Sequence, residues 1–397
     1  MTALDPTVKS LIADPYGAYV KLRAEAPVHR VVGPDGLPVW LVTRYQDVRQ
    51  ALADPRLALD RAHAAPGNYR GFSLPPALDA NLLNMDPPDH TRIRRLVSRA
   101  FTPRRVAALR TPIERVAERL LDTIEPLGRA DLLASYAAPL PITVICDLLG
   151  VPEGDRLDFR TWTDSLITPD PARPEQARAA VKAMLGFFTG LIERKRTDPA
   201  DDLLSDLIAV RDEEGGGDRL GEDELTSLAF LILFAGYENT VHLIANAVLA
   251  LLTHPEQLAA LRAEPELIAG AVEEFARFDG PAPLAIRRFP REDVEIGGTT
   301  VPAGETVLLS LASANRDPEQ FADPDRLDLR RRENGHLALG HGIHYCLGAP
   351  LARMETELAL GALLRRFPDL ALDAPVERLR HRPTMRARGL LELPVRY

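Results

Sequence analysis

The chain has 397 residues, of which 46% are hydrophobic and 26% charged, and a net charge of −9. That composition excludes a disordered chain, and the negative balance excludes a molecule built as a whole to coat nucleic acid. Two cysteines 200 positions apart, Cys146 and Cys346, cannot build a disulfide framework, which points to a reducing, cytoplasmic setting. The first ten residues lack the basic start and apolar core of a signal peptide. The longest strongly apolar stretch, residues 228–236, falls far short of the ~20 residues that span a bilayer, so no membrane is expected.

Taken in chain order, residues 15–26 read as a short helix. Two strands follow, 28–32 and 39–42, and Gly33-Pro34-Asp35-Gly36 between them is a hairpin signal. Helical periodicity marks 45–53, 90–100, 103–125, 139–149, 155–166 and 174–197. A triple glycine at 215–217 precedes the longest helix, 222–253, about 48 Å at the standard rise. Helices at 255–263 and 265–278 come next, then short strands across 286–309 with Gly297-Gly298 as a tight turn. Residues 311–335 are irregular and rich in Asp, Pro and Arg; a helix over 349–366 and short strands complete the chain. The 34 prolines sit between helical segments and mark no linker. The expected fold is mostly α with a small segregated β region, as a single domain over 1–397 with 1–14 as an N-terminal extension.

The segment from Leu339 to Gly348, LGHGIHYCLG, is the most informative. A helix beginning at Ala349-Pro350 would place Cys346 against free N–H groups and the positive end of the helix dipole, which favours the thiolate. Pro350 suits a first helical turn, and the glycines let backbone approach something flat or bulky. Three other readings stand beside this one. A lone cysteine can be a small buried hydrophobe, which suits Cys146 on its apolar helix. His341, His344 and Cys346 could ligate zinc, although a fourth ligand and paired cysteines are missing. A nucleophilic cysteine would need a base and an orienting group, which nothing in the sequence singles out.

Residues 339–353 resemble the haem-binding loop of the cytochrome P450 superfamily, Phe-Gly-x-Gly-x-His/Arg-x-Cys-x-Gly, with Leu339 in place of Phe. The resemblance covers about residues 15–397 and is to the soluble bacterial class. It implies the cytochrome P450 fold and haem b (iron protoporphyrin IX), with Cys346 as the proximal thiolate ligand and Leu339, Gly340 and Gly348 shaping the loop. Thiolate ligation pushes electron density toward the iron. Leu339 keeps the site apolar but removes the ring that normally shields the sulfur.

Two further motifs occur in the family's order. Glu274-x-x-Arg277 reads on its own as a surface ion pair worth little; in the family it is a buried network with a later stretch that Phe321-Ala322-Asp323-Pro324-Asp325-Arg326-Leu327 resembles. Residues 84–94 resemble the family's propionate-binding helix, with His90 and Arg94 four apart on one face. Arg288 and His344 match the other two propionate contacts, against the alternative of basic residues on a solvated face.

The long helix carries Ala235-Gly236-Tyr237-Glu238-Asn239-Thr240. An acid inside an apolar helix is expensive to bury. The family pattern is Ala-Gly-x-Asp/Glu-Thr, in which Ala235 and Gly236 lie against the haem and the acid–alcohol pair relays protons. Glu238 matches the acid. Asn239 stands where threonine is expected, and Thr240 follows about 100° around the helix. Seven arginines between His90 and Arg110 (92, 94, 95, 99, 104, 105 and 110), with no acid among them, form a positive patch that fits an acidic electron donor better than nucleic acid.

The resemblance implies a monomeric cytoplasmic monooxygenase that uses O₂ and takes electrons from ferredoxin and ferredoxin reductase. It would hydroxylate or epoxidise a small molecule, in secondary metabolism or xenobiotic oxidation. Family substrate contacts fall on 61–83, 160–182, the long helix and Leu284-Ala285-Ile286, which are mostly apolar here, with Tyr69, Arg70 and Phe72 as further candidates. The substrate is therefore expected to be apolar or amphipathic. Aryl or phenol coupling and peroxide-driven turnover are the alternatives on the same fold, and a non-catalytic haem-binding sensor is the alternative outside the enzymes.

Overall fold

The computed structural model describes residues 5–33, 35–70, 74–167, 173–212 and 219–397. Pro34 of the hairpin loop, Phe72 and the triple glycine at 215–217 lie outside them. The chain divides into two compact units. The first comprises Met1–Gly71, Ala117–Ala137 and Asn239–Tyr397; the second comprises Phe72–Val116 and Ala138–Glu238. Every described strand belongs to the first unit, so the β structure is segregated as the sequence suggested.

In the first unit, alternation of valines makes Val28–Val32 and Pro38–Val42 an antiparallel hairpin, with Val28 opposite Val42. Val307–Leu309 joins it in parallel, Val307 opposite Trp40. Arg129–Asp131, Pro394–Arg396 and Ala371–Leu372 form a second three-stranded sheet. Two further pairs join Leu57–Ala58 to Phe289–Pro290 and Val294–Ile296 to Thr299–Val301. The turn of the last pair has φ of 54° at Gly297 and 77° at Gly298, a region that glycine occupies without strain. Helix Tyr45–Ala53 lays Tyr45, Val48, Ala51 and Leu52 on one face, and that face packs on Val28, Val42, Val307 and Leu309.

Sequence periodicity passed over helix Pro6–Ala13, inside the expected N-terminal extension. Asp5 caps it by accepting from the Thr7 N–H, Pro6 occupies its first turn, and Val8 and Leu11 pack with Tyr19 and Leu22. Helix Leu203–Asp212 in the second unit was also missed.

The second unit is helical among its described residues. Phe159 and Phe188, on helices Arg156–Ile167 and Pro174–Thr197, meet edge to face at 5.6 Å, and Phe188 meets Phe230 at 6.4 Å. The single helix expected over 103–125 is two, Pro103–Ala108 and Arg110–Ile124. Pro112 has no N–H to continue the first helix, and the Leu109 N–H closes it onto Val106 and Ala107.

The longest helix runs over Glu222–Thr253 as expected. An 18-residue window of it is apolar enough to cross a membrane by length and composition, although no shorter uninterrupted run had suggested this. Some 72% of that window is buried within the protein, the pattern of a core helix.

Candidate functional site

The Cys346 loop is shaped by its glycines. Gly340 and Gly342 have φ of 77° and 73°. The turn closes through Gly340 N–H to Leu337 O (2.8 Å), Tyr345 N–H to Gly342 O (3.1 Å) and Cys346 N–H to Leu339 O (2.9 Å). A Cβ on Gly342 would fall 3.3 Å from Ala53 Cα and Leu52 O, so the turn lies flush on the end of helix Tyr45–Ala53. Helix Ala349–Arg366 begins directly afterwards, with Gly348 as its N-cap and Pro350 in its first turn. A Cβ on Gly348 would stand 4.0 Å from Cys346 Sγ, which places the sulfur beside the start of that helix. Free N–H groups and the dipole there favour a thiolate.

Cys346 is half-buried. Cys146 is buried, and burial pushes its thiol up to about 12, so it remains a neutral core side chain. No group of three His, Cys, Asp or Glu residues able to hold a metal occurs among the described residues, which removes the zinc alternative. Cys346 has the chemistry of a thiolate ligand to haem iron.

Glu274 and Arg277, on helix Ile268–Asp279, are not a surface pair. Their side chains are 1% and 0% exposed and bond as a fork at 2.7 and 2.8 Å. Arg277 also donates to the carbonyls of Asn315, Pro324 and Arg326, while Glu274 accepts from the Asp328 N–H, Arg331 and Asn334. Phe321 lies under the Arg277 guanidinium at 5.3 Å. The irregular stretch that follows the small strands is thus held by the buried Glu274–Arg277 pair together with Arg331. Removing either partner would strand a buried charge at a cost of about 3–5 kcal/mol.

Also in the first unit, Arg288 is 2% exposed, bridges to Val307 through its backbone and donates to Ile286 O at 2.5 Å. His344 is half-buried in the short turn Gly342–His344. In the second unit, helix Asp89–Ala100 buries His90 and leaves Arg94 half-buried on the same face. Burial, and then the Arg94 charge, push the His90 pKa below its ordinary value. Both effects favour the neutral imidazole, which can still donate a hydrogen bond. Within the first unit the buried Arg288 has the chemistry to take a carboxylate, and within the second the half-buried Arg94 has it too.

The arginine patch is only partly free for a partner. Arg92 pairs with Glu224 and donates to Arg219 O at 2.7 Å. Arg105 pairs with Asp206 at 2.5 Å and Asp201 at 3.3 Å. Those acids lie more than 90 residues along the chain, where counting charge between His90 and Arg110 could not find them. Arg99 and Arg104 are exposed.

Along the long helix, Ala235 and Asn239 are exposed one turn apart, and Glu238 is half-buried. A Cβ on Gly236 would fall 2.9 Å from Ile145 Cδ1, so the close approach this glycine permits is to helix Pro139–Leu149. Thr240 is buried, and its hydroxyl donates to Glu355 on the helix that follows Cys346. Thr240 therefore does not share the face of Asn239. Of the substrate-contact candidates, Tyr69 stacks edge to face on Phe289 at 5.3 Å under Arg287, Arg70 is exposed, and Phe72 and residues 168–172 fall outside the described residues.

Sequence reading missed Glu355, Glu273 and Arg353. Arg353 forks onto Glu273 at 2.5 and 2.9 Å. Such pairs join helices far apart in the sequence and carry no local spacing signal.

The family model described as Cytochrome P450 matches residues 142–379. Cytochrome P450 monooxygenase PikC of Streptomyces venezuelae is 51% identical over 387 residues, covering 97% of this chain and 91% of its own. The 6-deoxyerythronolide B hydroxylase of Saccharopolyspora erythraea is 44% identical, covering 100% and 99%. The crystal structure of myxobacterial cytochrome P450 CYP267B1 in complex with myristic acid superposes with a TM-score of 0.93 at 41% identity, over 98% of both chains. The chain belongs to the cytochrome P450 family, and it is a haem-dependent monooxygenase.

Proposed function

We propose that this enzyme hydroxylates or epoxidises an apolar or amphipathic small molecule, using haem b held by Cys346. The observation that carries this reading is the half-buried Cys346 beside the start of helix Ala349–Arg366, on a loop shaped by Gly340, Gly342 and Gly348. The substrate class is supported by the apolar segments named above, by the relative that hydroxylates 6-deoxyerythronolide B and by the one solved with myristic acid.

When bound, the haem supplies the redox chemistry of dioxygen, which a thiolate ligand promotes. The chain supplies the rest. Arg94 and Arg288 would neutralise the propionates, and His90 and His344 would hydrogen-bond them. Ala235 would leave room on the long helix for the cofactor, beside Gly236, which packs that helix on Ile145. Glu238 would relay protons, and Asn239 would order water or a substrate hydroxyl, since its amide cannot release and regain a proton as a hydroxyl does. Arg99 and Arg104 offer positive charge to ferredoxin, which ferredoxin reductase recharges. The enzyme works as a monomer in the cytoplasm and as one catalytic domain, a reading supported by a family match that runs through both units.

The test is turnover with surrogate ferredoxin and reductase under labelled dioxygen. One labelled oxygen in the product per NADPH supports the proposal. Asn239 at the alcohol position, with the Thr240 hydroxyl committed to Glu355, favours a second reading, aryl or phenol coupling or peroxide-driven oxidation. A product without labelled oxygen would move that reading ahead. NADPH consumption that no compound stimulates would favour a haem sensor.

A further inference from the structure

The ten residues that present Cys346 are held at two points by one carboxylate. Glu273, on helix Ile268–Asp279, takes both arms of the Arg353 fork at 2.5 and 2.9 Å. Arg353 lies seven residues after the cysteine, on helix Ala349–Arg366. Its guanidinium also donates to the oxygen of Tyr345, the residue directly before the cysteine. On the other side, His336 Nδ1 accepts the Ala338 N–H at 3.2 Å, so its Nε2 carries the proton and donates to Glu273 at 3.2 Å. Ala338 is the residue before Leu339, where the loop begins. The path from Ala338 through His336, Glu273 and Arg353 to Tyr345 therefore closes a ring around the loop.

The bland reading is an ordinary inter-helix ion pair, worth little when exposed. Three observations set this one apart. The fork is bidentate and charge-assisted, a geometry that fixes orientation as well as distance. The His336 side chain is 3% exposed, so its bond to Glu273 is not shared with solvent. Burial alone would raise the Glu273 carboxyl, yet the hydrogen bonds from His336 and Arg353 hold it down at about 2.

We propose that Glu273 and Arg353 are positioning residues for the Cys346 thiolate, clamping both ends of the loop so that the sulfur keeps one place and one environment. This rests on Cys346 being the haem ligand. Arg353 acts through Tyr345, and Glu273 through His336 and Ala338. The role predicts an effect on ligation itself, beyond any effect on global stability.

The experiment follows the reduced holoenzyme under carbon monoxide, timing loss of the red-shifted thiolate band at fixed mild heat, with unfolding followed separately by circular dichroism. Arg353→Ala is expected to lose the band about tenfold faster than wild type, the factor expected from losing charge-assisted bonds. Arg353→Lys, which keeps the charge but not the fork, falls between. Tyr345→Phe removes one hydroxyl from a side chain 38% exposed, so it tests the clamp even if Arg353→Ala fails to fold. It is expected to lose the band about two- to threefold faster. The double variant is expected to be no faster than Arg353→Ala, since both remove one connection. Band loss at the wild-type rate in Tyr345→Phe, or band loss that only tracks unfolding in every variant, overturns the proposal. A wild-type protein with no red-shifted band overturns the thiolate reading first, and this inference with it.

Discussion

The hydroxyl of Thr240 donates to the carboxyl of Glu355, and both side chains are buried. The bond ties the long helix to the helix that follows Cys346. Burial raises the Glu355 pKa well above 4.5, against the smaller opposite effect of Thr240, so the group is held neutral. Thr240→Ala should therefore act on stability, costing about 1–3 kcal/mol by leaving a buried carboxyl short of its partner. Glu238→Gln should instead cut turnover while leaving the melting temperature close to wild type. Product per NADPH, with peroxide counted separately, and thermal melts of both variants separate the two roles. Uncoupling by Thr240→Ala as severe as that by Glu238→Gln would return Thr240 to the relay.

Glu355 also sets a pH dependence. Its folded pKa is raised, so its stabilising contribution is complete below 4.5, where the unfolded chain also holds the proton. Above that value the unfolded chain releases the proton and the folded one keeps it, so stability falls as pH rises. Glu355→Gln, which cannot ionise, should gain stability relative to wild type on going from acid to neutral pH. Denaturant midpoints measured across that range check the sign; a constant difference would mean that Glu355 is not held neutral.

Gly236 sits where a side chain would press on Ile145 Cδ1. Gly236→Ala should cost about 1–3 kcal/mol through overpacking, and Ile145→Val should recover part of that loss in the double variant. Haem content of the same proteins tells helix packing from cofactor contact. Recovery of stability without recovery of haem content assigns Gly236 to both.

Arg99 and Arg104 are exposed, whereas Arg92 and Arg105 are tied to acids. Arg99→Glu with Arg104→Glu should slow reduction by ferredoxin, most strongly at low salt, because screening shortens the reach of charge to about 10 Å at 0.1 M. Arg105→Glu should mainly lower stability, since it sets like charge against Asp201 and Asp206. Equal reduction rates at every ionic strength would make the patch an ordinary solvated face.

Much of this was legible in the sequence for identifiable reasons. The helix over Glu222–Thr253 could be placed to the residue because its apolar pattern is long, opens on three acids and stops before Pro255. The Cys346 loop could be read because a motif of glycines and one cysteine is local, and the structure gives Gly340 and Gly342 a left-handed φ that suits glycine. Helix Pro6–Ala13 was hidden because eight residues offer barely two turns of periodicity. The break near Leu109 was hidden because Pro112 falls inside an otherwise helical pattern. Glu355, Glu273 and the acids that take up Arg92 and Arg105 were illegible for a different reason. Each is defined by a partner dozens to hundreds of residues away, and a side chain's partner across the fold leaves no mark on its neighbours in the chain.

The central claim is that Cys346, and not Cys146, is the thiolate that makes this chain a haem monooxygenase. The most direct measurement is the absorption of the reduced protein under carbon monoxide in the two single variants. Cys146→Ala should keep the red-shifted band, since that thiol is buried and neutral, and Cys346→Ala should lose it. Retention of the band in Cys346→Ala, or its loss in Cys146→Ala, would contradict the account.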